Sequence, residues 1–202
     1  MIVSPEHRLI LASKSKSRAA VLKSAGLDFT QIGPGVDEES LKESLRAEGA
    51  TVAKQADLLA ETKALKVSIS HNGVVLGCDQ MLELDGQGLD KVSTREDARD
   101  VLTRLRGKTH ILQSAIVACV EGAPVWRHLA QPRLRMRNFS DQFLEDYLDA
   151  IGLAAFESVG CYQIEGRGAQ LFDRIDGDLF SIMGMPLLPL LQWLRDRGTL
   201  AP

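Results

Sequence analysis

Asp79 lies inside the apolar run Val-Val-Leu-Gly-Cys-Asp-Gln-Met-Leu at residues 74–82. A carboxylate in such surroundings costs several kcal/mol unless it is paired, hydrated or bound to a metal. It therefore reads either as part of a buried polar network or as a proton acceptor at a strand end facing a cleft. Asp79→Asn, which replaces a desolvated carboxylate by a neutral amide, is accordingly expected to leave stability unchanged or raise it. Lys63 poses a related problem, because helical spacing puts it in the apolar stripe of Val52, Ala56, Leu59 and Val67. There its ammonium must reach the edge along its own stem or meet an anion. The run Ser-Lys-Ser-Lys-Ser-Arg, residues 13–18, suits an anion. A turn entering a helix exposes free N–H groups, the hydroxyls of Ser13 and Ser15 add donors, and the Arg18 fork matches phosphate oxygens. The plainer reading is that Ser15 or Ser17 caps the helix.

Four further groups are polar without being forced into function. Glu38 and Glu39 follow the break Gly33-Pro34-Gly35 and read as a solvated acidic turn. Gln80 adjoins Asp79 and enters the same cleft if the strand bends there. Lys91 follows the turn-like Asp-Gly-Gln-Gly-Leu-Asp and by itself reads as a surface lysine. Tyr162, Gln163 and Glu165 sit in a glycine-rich stretch, which marks either a close approach of backbone to ligand or a plain loop.

The elements that must hold these groups alternate early in the chain. Residues 8–12 read as a buried strand, 13–17 as a turn, and a helix with Ala19, Val21, Leu22 and Ala25 follows, stopped by Gly26. Residues 28–32 form a second short strand, and 51–67 a helix. Residues 74–84 form a strand pair or one bent strand, and 85–88 a turn. A helix begins at Thr94 with a capping-box-like pattern and ends at Gly107. Residues 110–120 and 125–136 read as two strands joined by a turn, and Ser140 starts a helix to about Ala150. The glycine-rich residues 158–182 have no clear assignment, and a last helix spans about 187–197. Early strand–helix alternation followed by a hairpin gives an α/β chain: one domain over residues 1–202, with a mixed sheet and flanking helices.

Bulk properties exclude several function classes. A net charge of −3 and a pI near 5.8 do not suit a polynucleotide partner. Cys78, Cys119 and Cys161 are widely spaced, as are His7, His71, His110 and His128, so neither set predicts a metal knuckle or redox pair. Unclustered cysteines fit a reducing cytoplasm. The N-terminus lacks the pattern of a signal peptide, and no apolar run reaches membrane-spanning length.

Taken in order, the segments resemble the Maf family across almost the whole chain. Leu-Ile-Leu-Ala-Ser-Lys-Ser-Lys-Ser-Arg resembles its S-x-S-x-x-R signature through Ser13, Ser15 and Arg18. Val-Asp-Glu-Glu resembles its acidic turn, Lys63-Ala64 its helical lysine, and Val-Val-Leu-Gly-Cys-Asp-Gln its acidic strand end. Residues 89–110 resemble its K-P…L-x-G-x-x-H stretch. Ser-Val-Gly-Cys-Tyr-Gln-Ile-Glu-Gly and Met-Gly-Met-Pro-Leu resemble its G-x-Y-x-I-x-G and G-x-P-L segments. Lys16, Ser17 and Val92 depart from the family's usual Pro, Arg and Pro.

The resemblance implies a Maf/ITPase-like fold: a mixed twisted sheet with flanking helices, in two lobes around a cleft. It implies a nucleoside triphosphate pyrophosphatase that uses Mg or Mn, acts as a cytoplasmic homodimer, and binds neither polynucleotide nor membrane. Ser13, Ser15, Arg18, Lys63 and Lys91 would hold the polyphosphate. Glu38, Glu39 and Asp79 would serve the metal, and Asp79 would be the base. Ser17, Gln80 and Glu165 would set base choice, and Asp79-Gln80 with Glu165-Gly166 resembles the subgroup acting on 7-methyl-GTP. The alternative is a nucleotide-binding regulator of septum formation without significant turnover.

Overall fold

The computed structural model describes residues 8–201, so His7 and the N-terminal reading lie outside the described residues. Strand β1 (Leu9–Ala12) fixes the layering. Leu9 and Leu11 point to one face and Ile10 and Ala12 to the other, the period-2 alternation of a strand buried on both sides. Helix α1 (Lys16–Ser24) leads to β2 (Phe29–Ile32), which pairs parallel with β1. Helices α2 (Glu38–Ala47) and α3 (Val52–Ser68) then lead to β3 (Val74–Leu84), parallel to β1 on its other side. Gly26 takes φ +75°, the left-handed stop expected after α1.

The chain continues through β4 (Gln87–Leu89), α4 (Arg95–Leu105), β5 (Thr109–Val120), β6 (Ala123–Ala130) and β7 (Arg133–Met136). It ends with α5 (Asp141–Ile151), β8 (Phe172–Asp176), α6 (Leu179–Ile182) and α7 (Leu187–Asp196). Two short 3-10 segments, Gly152–Glu157 and Arg167–Leu171, lie between α5 and β8. Among the described residues eight strands form one sheet, ordered β2-β1-β3-β5-β7-β8, with β4 beside β3 and β6 beside β5. The β2-β1-β3 part is parallel and the rest antiparallel, the mixed sheet expected from the sequence.

Several sequence expectations need correction. Glu38 and Glu39 do not sit in a turn: Asp37 caps α2 by accepting from Ser40 N, and both glutamates occupy the helix's first turn. Residues 74–84 are one strand, because β5 pairs with it from Val75 to Glu83. Gln87 and Gly88 belong to β4 rather than to the turn, which tightens to Asp85 and Gly86. Residues 125–136 break at Gln131-Pro132, since β6 and β7 pair with different stretches of β5.

Packing falls into three apolar clusters. One unites α1 and α7 on the Leu11/Leu76 face of the parallel strands. The second unites α3 with the Ile10/Val75 face. The third lies at the antiparallel end, among β3, β4, β5, β7, α4 and α5. The helix–sheet approach is closest at Gly77. A Cβ there would lie 2.1 Å from the Ala60 carbonyl oxygen and 2.6 Å from the Ala64 nitrogen. Because Ala60 and Ala64 are one turn apart on α3, their small side chains let the helix backbone rest directly on β3. Residue 79, two positions on, shares the face of residue 77.

Gly77→Ala is therefore expected to lose more stability than the about 1–3 kcal/mol of ordinary overpacking, because backbone rather than a flexible side chain blocks the new methyl. Urea denaturation checks this; a midpoint equal to that of the parent would show that α3 moves away at no cost.

Candidate active site

The cleft grows from a gap in the sheet. Strand β1 ends at Ala12, opposite Gly77, and β4 first pairs at Leu82. Between them, Cys78–Met81 have β5 on one side and no strand on the other. The peptide groups along that gap need other partners. Arg18 supplies one, donating from Nη1 to the Cys78 carbonyl at 2.9 Å. The same guanidinium donates to the Gly184 carbonyl from Nε at 3.0 Å and to Ser13 Oγ from Nη1 at 3.3 Å. Three of its five N–H groups are thus fixed within the protein, and the two on Nη2 have no partner among the described residues.

In the Ser13–Arg18 segment the capping reading is the one observed. Ser15 caps α1, its Oγ accepting from Arg18 N at 3.3 Å, and Ser13 Oγ accepts from Ser15 N at 3.2 Å. Gln31 on β2 donates to the Ser13 carbonyl at 2.8 Å, which fixes the turn from below. The first turn of α1 lines the cleft together with Lys14 and Lys16. Those two lysines were missed in the sequence, although they alternate with the serines in the same run.

At the foot of the cleft, Lys63 Nζ lies 2.6 Å from Asp79 Oδ1 and 2.9 Å from Glu38 Oε2. Lys63 and Asp79 are 5% and 6% exposed, so their charges sit almost out of water. The question posed by Lys63 is answered by anions rather than by an escape to the surface. Asp79 is correspondingly paired, which removes the basis for expecting Asp79→Asn to keep or gain stability. Each carboxylate spends one oxygen on the lysine; Asp79 Oδ2 and Glu38 Oε1 have no hydrogen-bond partner among the described residues.

Helix α2 is held over this floor by further ties. Lys66 Nζ donates to the Gly35 carbonyl, while Lys42 and Arg46 reach Asp90 at 3.0 and 2.6 Å. Although burial works against it, hydrogen bonds from Lys42 and Arg46 hold the Asp90 carboxyl below its usual range. Lys42 lines the cleft one turn beyond Glu38, a relation visible only once α2 is known to be a helix. Lys91 follows Asp90 at the mouth. Partial desolvation, and then the Arg18 guanidinium, lower its pKa from the ordinary 10.5.

The opposite wall differs in chemistry. Gln80 Nε2 donates to Ser114 Oγ at 2.7 Å and to the Ser181 and Ile182 carbonyls at 3.1 and 3.0 Å. Its amide NH2 is therefore consumed, and only the carbonyl oxygen is left for the cleft. Beyond it stands the loop from Glu157 to Glu165, with Glu165 exposed at the lip. The whole cleft measures about 870 Å³. It brings together Ser13, Ser15, Ser17, Arg18, Glu38, Glu39, Lys63, Asp79, Gln80, Lys91 and Glu165. No three His, Cys, Asp or Glu side chains among the described residues form a ready-made metal cage. Glu38 and Asp79 converge on Lys63, whereas Glu39 is exposed and without an ion-pair partner among the described residues.

Residues 8–197 match the family model described as Maf-like protein. The chain is 51% identical over 190 residues to a nucleoside triphosphate pyrophosphatase of Hyphomonas neptunium, covering 94% of this chain and 96% of that one. It is 49% identical over 193 residues to the protein of that name from Rhodospirillum rubrum, covering 95% and 96%. To a 7-methyl-GTP pyrophosphatase of Brucella abortus it is 45% identical over 189 residues, covering 93% and 95%.

The buried pair makes opposite single substitutions unequal. Lys63→Met leaves Asp79 buried and alone, so near neutral pH it should approach the about 3–5 kcal/mol cost of breaking a buried pair. Asp79→Asn should cost less, because Glu38 still balances Lys63. The double substitution should recover part of the Lys63→Met loss, since both charges go together. Chemical denaturation of the four proteins at pH 7 tests the order; equal single costs with no recovery would mean that the charges do not sense each other.

Proposed function

The chain belongs to the Maf family, and we propose that it hydrolyses nucleoside triphosphates between the α- and β-phosphates, releasing a nucleoside monophosphate and pyrophosphate. The Lys63–Asp79–Glu38 cluster at the foot of a cation-lined cleft carries this reading. The relatives' names support turnover over a regulator that only binds nucleotide. The triphosphate tail lies over the first turn of α1. There Ser13, Ser15, the free Nη2 group of Arg18, and Lys91 meet the oxygens on which the leaving pyrophosphate gathers charge. Asp79 Oδ2 takes a proton from the water that attacks the α-phosphorus as the bridge to the β-phosphorus breaks. Lys63 holds Asp79 in place and lies next to the reacting phosphate.

The donor set fits magnesium or manganese. Such ions bind through one or two carboxylates completed by water and substrate phosphates; Glu38 keeps an oxygen that would bind the ion directly, and Asp79 Oδ2 would face its water shell. When bound, the ion would neutralise phosphate charge. Glu39, in the same helical turn, would serve its water shell.

Base choice falls to the opposite wall. Gln80 offers an acceptor oxygen because its NH2 is already bound, and Glu165 offers a carboxylate. Two acceptors suit the N1–H and amino group of a guanine better than the carbonyl edges of uracil or thymine. A carboxylate also favours the positive charge that 7-methylation adds. We accordingly assign 7-methyl-GTP or a related purine as the preferred substrate, with Ser17 at the mouth giving no aromatic face. The protein acts as a cytoplasmic homodimer on free nucleotides, consistent with its acidic charge; among the described residues no helix is long and apolar enough to cross a membrane.

Anion-exchange chromatography of early products should show monophosphate and pyrophosphate, with kcat/KM for 7-methyl-GTP above that for UTP or dTTP. A diphosphate as first product would refute the bond assignment, and a preference for UTP the base assignment. Asp79→Asn should lower kcat by about a hundredfold or more, the scale of a lost general base.

Lys91 gives a pH test. Its proton is lost below the ordinary 10.5, so the charge that holds the tail disappears as pH rises through the lowered value. KM for the triphosphate should climb on that alkaline limb. Lys91→Arg should shift the climb upward, because a guanidinium stays protonated; an identical limb in that variant would remove Lys91 from the phosphate site.

A further inference from the structure

His110 is fully buried, yet nothing in the proposed chemistry uses it. Its Nε2 shares a 2.7 Å hydrogen bond with Tyr162 Oη, and its Nδ1 is buried without a partner. Both groups are neutral near pH 7: burial lowers the imidazole to about 4 and raises the phenol. An aromatic trio surrounds the bond, with Phe172 4.8 Å from the Tyr162 ring and 5.9 Å from the imidazole. A core position that only needed filling would be better served by an apolar side chain, since the orphaned nitrogen costs free energy.

The other end of this bond explains its retention. Tyr162 belongs to the loop whose Ser158, Gly160, Gln163 and Glu165 line the cleft opposite the phosphate cations. That loop has no strand or α-helix to hold its shape. Cys161 within it takes φ +58°, a left-handed conformation that a side-chain-bearing residue adopts only when its surroundings impose it. Three buried or half-buried side chains impose it. Ser158 Oγ donates to Tyr162 O at 2.7 Å and accepts from Tyr162 N at 3.0 Å. Tyr147 Oη donates to Cys161 O at 3.1 Å. His110, on β5, is the one of the three anchors that stands in the sheet, and so joins the loop to the same rigid layer that carries Asp79 and Gln80. Gly160 seals the fit, because a Cβ there would lie 2.3 Å from the Tyr162 ring.

We propose that His110 is a positioning residue for nucleotide specificity: through Tyr162 it sets the distance of the loop that reads the base from the sheet that holds the reacting phosphate. This rests on the reading that the Glu165 wall meets the base. A nucleotide touches both walls, whereas inorganic tripolyphosphate touches only the phosphate side, so the two probes separate the walls.

The test compares His110→Leu, Tyr162→Phe and the double variant. In His110→Leu the loop loses its hydrogen-bonded tie to the sheet. KM for the preferred nucleotide should rise about tenfold, the equivalent of one lost buried hydrogen bond, while kcat stays within about threefold. The inhibition constant of tripolyphosphate should not change, and the kcat/KM ratio between purine and pyrimidine triphosphates should shrink. In the double variant both polar partners are replaced by apolar groups, so the melting temperature should return toward that of the parent while KM stays raised. If KM recovers together with melting temperature, or tripolyphosphate weakens as much as the nucleotide, His110 is a core residue and the proposal is overturned. The underlying reading fails separately. If Glu165→Gln leaves the purine-to-pyrimidine ratio unchanged while His110→Leu alters it, the loop is still positioned by His110 but Glu165 is not the reader.

Discussion

One ammonium group between two carboxylates organises this molecule. Lys63 Nζ meets Asp79 and Glu38 within 2.9 Å, and it does so nearly out of water. A buried ion pair is a poor source of stability, because desolvation offsets most of its attraction. Its value here is positional. It joins α3, β3 and the first turn of α2, and these are the elements that make the floor and one rim of the cleft. The pair depends in turn on the absence of a side chain at Gly77 and on the small stripe of Ala60 and Ala64. A helix standing farther from the strand would leave Lys63 short of Asp79. Backbone contact and charge contact are therefore one constraint, expressed two residues apart on the same strand face.

A second constraint arises from the sheet itself. Where β1 ends and β4 has not yet begun, β3 exposes an edge that needs hydrogen-bond partners. Arg18 serves the Cys78 carbonyl there and so is pinned facing the cleft with one amino group to spare. This cleft-lining cation thus owes its geometry to the same backbone accounting that governs any interrupted strand. Gln80 plays the matching part on the other face of β3, giving its amide hydrogens to the backbone of α6.

Much of this was legible in the sequence, and the parts that were not share a cause. The anomaly of Lys63 and of Asp79 was visible separately, because each breaks an apolar pattern. That each answers the other was not, since 16 residues and a chain reversal separate them. Strands β1, β2 and β3 and helices α1, α3, α4, α5 and α7 followed from local periodicity. Glu38 and Glu39 read as an acidic turn instead of the start of α2: few apolar residues mark its buried side, and the Gly-Pro-Gly break before it dominates the local signal. Asp37 followed by two glutamates was the overlooked cue, an N-cap with acidic residues in the first turn. Residues 158–171 were illegible for a different reason. Their conformation is fixed by His110 and Tyr147, partners 52 and 14 residues away, and no spacing rule reports a contact of that kind.

The tie from Arg18 to the Gly184 carbonyl spans 166 positions of the chain. Domains begin to fold from their N-terminal end during synthesis. Strands β1 and β3 can therefore form before residue 184 has emerged, and Arg18 then has Ser13 and Cys78 to hold but lacks its third anchor. A nascent chain carries the lysines, the serines and Asp79 in an unfinished arrangement. The guanidinium thereby reaches its final setting only once segments 166 positions apart have both been made.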